Sequence, residues 1–223
     1  MGEITFALIR EGTSDDGLVA HIRTLLIAAG ADTAVGAPRS YKGSTSERLQ
    51  QVWAEDDAVD LIFVHRDADD RDASPRHLEI STASGLAPAG SAEASVVVAV
   101  VPVQELEAWL LTDEAAIREA VGKPNRTTRL AIPSLNRIES SASPKEILRA
   151  ACLDASETTG ARHRREVRAF PQRRAALLDR LDIDGPINEL PSWQRFVEDL
   201  KRSAGEVLLR QALSPSSVDG ERT

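Results

Sequence analysis

A chain of 223 residues with 42% hydrophobic residues is long enough for one sizeable core or a core with an accessory segment. Its net charge of -8 argues against a general nucleic-acid coat protein, which is normally basic, while leaving room for an enzyme that meets nucleic acid through metal ions and one local basic patch. The single cysteine, Cys152, excludes an intrachain disulfide framework and fits a reducing compartment, and with aromatics at 4% the core must rest on Val, Leu, Ile and Ala.

In chain order, the apolar run Ile4 to Ile9 predicts a buried strand that ends directly in Glu11-Gly12-Thr13-Ser14-Asp15. Thr13 to Asp16 predicts a helix start with a Thr N-cap, followed by the stripe Leu18, Ile22, Leu25 and Leu26 and a stop at Gly30. A short strand is expected near Thr33 to Ala37, and Ser44-Thr45-Ser46-Glu47 has capping-box spacing ahead of a helix bearing Leu49, Val52 and Trp53. The second apolar run, Val59 to Arg66, leads into Asp67-Ala68-Asp69. The polar stretch from Asp70 to Glu93 reads as loop with one short helix, and Val96 to Val101 as a buried β-branched strand. Gln104 to Val121 is expected to be one helix with Leu106, Trp109, Leu110 and Ile117 inward.

Beyond Gly122 the strand signal fades. Pro144 opens one helix, an Arg-rich stretch runs from Arg162 to Arg174, and Pro191 starts a last helix that reaches about Leu213. Strands alternating with helices predict an α/β fold with a mainly parallel sheet flanked by helices, and a helical C-terminal extension. The expected organisation is an α/β core over 1–121, a helical accessory segment over 122–213 packed on it, and a disordered polar tail over 214–223. The sequence shows no leader of the signal-peptide kind, and its longest apolar run, Val96 to Val103, is too short to span a bilayer. A cytoplasmic protein is expected.

The two strand-end acidic clusters carry the chemistry. Ligands of open α/β sheets sit outside the carboxyl ends of the strands. Glu11, Asp15, Asp67 and Asp69 would gather there and repel one another unless a cation neutralises them, and hard oxygen donors suit Mg²⁺ or Mn²⁺. A single acid at such a position is commonly a helix cap or loop residue; four of them at two strand ends point to a metal site. Calcium-loop, P-loop and zinc patterns all fail: Asp72 stands where a calcium loop needs glycine, no Gly-x4-Gly-Lys-Ser/Thr precedes the second run, and His21, His65, His77 and His163 lack zinc spacing. His65, within the strand, is better explained as packed or hydrogen-bonded than as catalytic.

Glu11-Gly12-Thr13-Ser14-Asp15 after a first strand, with Asp67-Ala68-Asp69 after a later one, resembles the Toprim domain, and the Glu-x-x-x-Asp spacing is most similar to the overcoming-lysogenization-defect nucleases. The segments Val101 to Leu111 and Ser143-Pro144-Lys145 resemble a compact bacterial Toprim branch often encoded beside an ATPase. The resemblance implies a Toprim-like fold and a Mg²⁺- or Mn²⁺-dependent nuclease acting on DNA or RNA, in an ATPase-linked defence module. It implies metal binding by Asp67 and Asp69, and metal or acid–base work by Glu11. Glu107, or less favoured Glu105, would be a further ligand, with a solvated helix face as the alternative for either. Lys145 could stabilise transition-state charge, or could simply be an exposed helix-start lysine. Nucleotidyl or phosphoryl transfer at the same site, and a Toprim module serving in regulation or assembly with little activity alone, are the alternative functions. Arg164, Arg165 and Arg168, in the one concentrated basic stretch, would attract a polynucleotide backbone, and an Arg-rich solvated helix face explains them about as well.

Overall fold

The computed structural model describes residues 2–55, 59–89 and 95–213. Four strands, β1 (Glu3–Ile9), β2 (Thr33–Arg39), β3 (Leu61–His65) and β4 (Val96–Val100), form one sheet of order β2-β1-β3-β4, every pair parallel. Parallel strands need crossovers, and these are helical: α1 (Leu18–Ala28), α2 (Thr45–Trp53) and α3 (Ser74–Ser84). Alternation along each strand sends side chains to two faces. Ile4, Phe6, Leu8 and Phe63 join Leu18, Ile22 and Leu26 of α1 in one core cluster. Ala7, Ile9, Ile62 and Val64 join Leu49 and Val52 of α2 and Ile80 of α3 in a second cluster on the other face. The chain thus turns one way from β1 to β2 and the other way to β3, which makes the β1–β3 boundary the topological switch point where α/β sheets bind ligands. Gly36 sits opposite Phe6, where an added Cβ would come within 2.5 Å of the phenyl ring.

Past β4 the chain is helical: α4 (Glu107–Leu110), α5 (Glu114–Ala120), α6 (Leu135–Ile138), α7 (Pro144–Ser156), α8 (Gly160–Asp179) and α9 (Pro191–Leu213). Their apolar faces do not form a core of their own. Leu148, Phe170, Leu177, Trp193 and Phe196 belong to the same cluster as Ile4 and Phe6. Aromatic contacts continue the join: Phe6 meets Phe63 edge-on at 5.6 Å, Phe63 meets Phe196 at 6.2 Å, and Trp109 meets Trp193 at 4.9 Å. Each such pair adds about 0.5–1.5 kcal/mol beyond the area it buries. Trp109 Nε1 donates to Ser192 Oγ at 2.8 Å, so the buried indole keeps a partner.

The architecture agrees with the expected α/β, Toprim-like sheet and C-terminal helices, while several element boundaries move. Thr13 is not a helix N-cap: Thr13–Asp15 is a single 3-10 turn flanked by Gly12, and α1 begins only at Leu18. The reason lies in Asp15, whose carboxylate accepts the Gly12 N–H and is tied to groups elsewhere, so the turn is shaped by the site. The single helix expected over Gln104 to Val121 is two short ones. Asp113 takes an extended conformation between them and its carboxylate caps the N–H groups of Ala115 and Ala116. Within the stretch expected to be loop with one short helix, that helix is α3 and runs for 11 residues. The Ser44 capping box, the Pro144 start and the Pro191–Leu213 helix form as expected. The tail over 214–223 lies outside the described residues.

A candidate active site at the sheet switch point

The carboxyl ends of β1, β3 and β4 meet one cleft of about 400 Å³, lined among others by Glu11, Asp15, Asp67, Glu107, Lys145 and Arg174. β1 delivers Glu11 and Asp15, β3 delivers Asp67, and the turn after β4 delivers Glu107 as the first residue of α4. From the helical half, α7 brings Lys145 and α8 brings Phe170, Pro171 and Arg174.

Charge in this cleft is interleaved. Arg174, itself buried, donates from Nε to Glu107 Oε1 at 2.7 Å, from Nη2 to Asp15 Oδ1 at 2.8 Å, and from Nη1 to the Ser14 carbonyl at 2.7 Å. Lys145 Nζ stands 3.7 Å from Glu107 Oε1. His65, the last residue of β3, is fully enclosed, with Nδ1 3.4 Å from Asp15 Oδ2 and Nε2 3.3 Å from Asp67 Oδ1. Neither ring nitrogen makes a well-directed hydrogen bond, so these are ion-pair contacts. Burial opposes charging the imidazole, yet its two carboxylate neighbours outweigh it and push the pKa up to about 9. Burial likewise opposes the charged form of Asp15, but His65, Arg174 and the Gly12 N–H together hold its carboxyl far below the usual range. The Leu106 N–H donates to Asp67 Oδ1 at 2.9 Å, fixing that carboxylate against the turn after β4.

Five of the sequence-selected residues, Glu11, Asp15, Asp67, Glu107 and Lys145, therefore share the cleft. Asp69 and Glu105 do not line it. Asp69 adopts a left-handed backbone (φ 56°), is exposed, and pairs with Arg76 Nη2 at 2.8 Å; that turn carries it away from Asp67. Glu105 precedes α4, and its Oε2 accepts the backbone N–H of Lys145 at 2.9 Å, so it anchors α7. Glu11 is held by Arg66 Nε at 2.7 Å, and Arg66 continues to Glu79 Oε1 at 2.9 Å.

The expectation that the acids must repel until a metal arrives is met differently here: His65, Arg66, Arg76, Arg174 and Lys145 already face them. Among the described residues no three His, Cys, Asp or Glu side chains form a group that could hold a metal ion as they stand. The donor chemistry nevertheless fits a hard divalent ion. Glu11, Asp67 and Glu107 each keep one carboxylate oxygen with no hydrogen bond to the described residues, and all three line the cleft.

Arg174 is the residue that sequence reasoning misplaces, because it falls within the basic stretch. A signal for its true position exists: Phe170, Arg174, Leu177 and Leu178 are spaced as one inward helix face, so Arg174 occupies an apolar stripe. Arg173 is also engaged internally, donating to Glu166 and to the Ala120 carbonyl at 2.8 Å. Arg164, Arg165 and Arg168 are exposed on the same helix, without a partner among the described residues. No helix among the described residues is long and apolar enough to cross a membrane. Comparison with protein-family models, curated proteins and solved structures returned no match.

Proposed function

We propose that the switch-point cleft acts on phosphodiester bonds of DNA or RNA with a resident Mg²⁺ or Mn²⁺, as the Toprim resemblance implies. The observation that carries this reading is the convergence of Glu11, Asp67 and Glu107, each with one uncommitted carboxylate oxygen, beside Lys145 at the switch point. Those three would hold the ion, which would supply neutralisation of charge developing on the phosphate and its leaving oxygen. The chain's own residues supply the rest. Arg174 fixes Asp15 and Glu107 in place, and His65 bridges Asp15 and Asp67, so the acids are oriented before substrate arrives. Lys145, half exposed at the cleft mouth, can face a phosphate oxygen. Arg164, Arg165 and Arg168 lie two to three helical turns before Arg174 on α8 and would engage backbone phosphates leading toward the cleft.

The test is a gel assay of the purified chain on labelled DNA and RNA with Mn²⁺ or Mg²⁺, alone and with any ATPase encoded beside it. Cleavage that falls at least a hundredfold in Asp67→Asn and Glu11→Gln supports the reading. In parallel, Mn²⁺ should raise the melting temperature of the wild type and not of Asp67→Asn, because an ion bound only by the folded state stabilises it, by about 2.7 kcal/mol at a hundredfold excess over Kd. Absence of both cleavage and thermal shift would sink it. Transfer of a nucleotidyl or phosphoryl group at the same acids would show as metal-dependent labelling without strand scission. A module for assembly or regulation, inactive alone, is favoured by one observation: every acid in the cleft already has a cationic partner from the chain, His65 serving Asp67 as well as Asp15.

A further inference from the structure

The two edges of the sheet are treated differently. β2 carries Gly36 and Pro38, and proline on an edge strand blocks further pairing. β4 is Val-Val-Val-Ala-Val, with no charge, proline or glycine, the kind of edge that templates another strand. Its register shows which groups are open. The Val96 N–H donates to the Asp60 carbonyl and the Val100 carbonyl accepts from Arg66 N–H, so Val96, Val98 and Val100 face β3. Backbone polar groups alternate sides along a strand, which leaves the N–H and C=O of Val97 and Ala99 on the outer edge. That edge floors a groove of about 620 Å³ walled by α3 (His77, Leu78, Ser81) and by α9 (Arg195, Asp199, Arg202). The two walls overhang opposite faces of the sheet, so the slot admits a single extended strand, whereas a second sheet would bring its own flanking helices against both walls.

The charge of the slot selects the occupant. Arg195 is exposed and makes no hydrogen bond or ion pair with the described residues. Arg202 is exposed and reaches Asp199 at 2.8 Å, which leaves the groove net positive in a chain of net charge -8. Arg195 and Arg202 are two turns apart on α9, about 10 Å along its axis. Alternate residues of a strand lie about 7 Å apart on one face, within reach of both long side chains. We infer that the β4 edge is a docking slot for an extended segment of a partner protein bearing acidic side chains on alternate positions, added as a fifth strand through the outward N–H and C=O groups of Val97 and Ala99, which have no partner among the described residues. This is independent of the chemistry in the switch-point cleft.

The experiment is an NMR titration of the full chain with acetyl-Glu-Val-Glu-Val-Glu-amide, reading the Val97 and Ala99 amides and their exchange with solvent. Saturable shifts at these amides, slowed exchange, and at least tenfold weaker binding to the exposed-site variant Arg195→Glu/Arg202→Glu are expected, with no binding of the acetyl-Lys-Val-Lys-Val-Lys-amide counterpart. The inference falls if the Glu peptide does not saturate at millimolar concentration, if both peptides bind alike, or if these amides already resist exchange in the free monomer. A dimer in sedimentation that Val97→Pro dissociates would assign the edge to a second copy and overturn the acidic-peptide occupant.

Discussion

Two charge networks share the rim of the sheet, both built from Asp, Glu and Arg, the inner one with a histidine besides. The inner one runs Glu107–Arg174–Asp15–His65–Asp67, with Glu107, Arg174, Asp15 and His65 all buried. The outer one runs Glu11–Arg66–Glu79–Arg76–Asp69 and is open to water, Asp69 keeping 66% of its side chain exposed. Distances of the arginine pairs do not separate them, since those of both networks fall between 2.7 and 2.9 Å, while the inner network's two His65 contacts are longer, at 3.3 and 3.4 Å. Burial does. Inside, each charge has lost its water and depends on its partner, whereas outside water replaces a missing partner at little cost. The contrast teaches that an ion pair's energetic role is read from what surrounds it, and it can be broken or sharpened by experiment.

The largest effect is expected at Arg174. Arg174→Ala would take from buried Asp15 and Glu107 their shortest ion pairs, leaving the longer contacts with His65 at 3.4 Å and Lys145 at 3.7 Å, and should cost about 3–5 kcal/mol in urea unfolding. A loss under about 1 kcal/mol would mean the inner network is wetter than its burial implies.

His65 gives the next effect, read as pH dependence in chelated buffer. Its folded pKa lies above the ordinary value of 6.5, so its contribution is fully present below about pH 6.5 and is lost as pH rises through about 9. The amount is on the order of 3 kcal/mol by the free energy of a pKa shift. Asp15 works in the opposite sense: its folded pKa is depressed, so its contribution is present above about pH 4 and lost as pH falls below it. Stability should therefore be greatest between about pH 4 and 6.5, and His65→Gln should remove the alkaline decline while keeping the acid one. An unchanged alkaline limb in that variant would show that His65 is not charged in the folded chain.

Smaller still, Arg76→Ala in the outer network should change stability by no more than about 1 kcal/mol, and less at high salt. The smallest stability change belongs to Arg164→Gln/Arg165→Gln/Arg168→Gln, whose effect should appear in binding. If these residues neutralise phosphates, affinity for DNA or RNA falls across all sequences, and the log–log salt slope becomes shallower by roughly one unit for each phosphate left without its arginine. Unchanged affinity and slope would leave α8 with a solvated basic face.

What the chain determined locally was legible. Apolar runs with β-branched residues gave β1, β3 and β4, and Ser44/Glu47 gave the start of α2. The placement of Glu11, Asp15 and Asp67 at strand ends followed from the rule that parallel strands share a direction, because period and capping act over a few residues. Even the inward position of Arg174 could be read from its spacing with Phe170 and Leu177.

Only the tertiary structure decided which carboxylates share a cleft. Asp67 and Asp69 look equivalent two residues apart, yet the left-handed turn at Asp69 and the reach of Arg76 separate them, while Glu107 arrives from beyond β4. It also decided where the neutralising charges come from. Arg174 reaches Asp15 across 159 positions of chain, a distance that no local pattern encodes and that only the packing of α8 against the sheet closes. The physical reason is range. Secondary structure is set by neighbours along the chain, whereas the energy of a buried charge is set by whichever groups the core brings to it and by the water it shuts out.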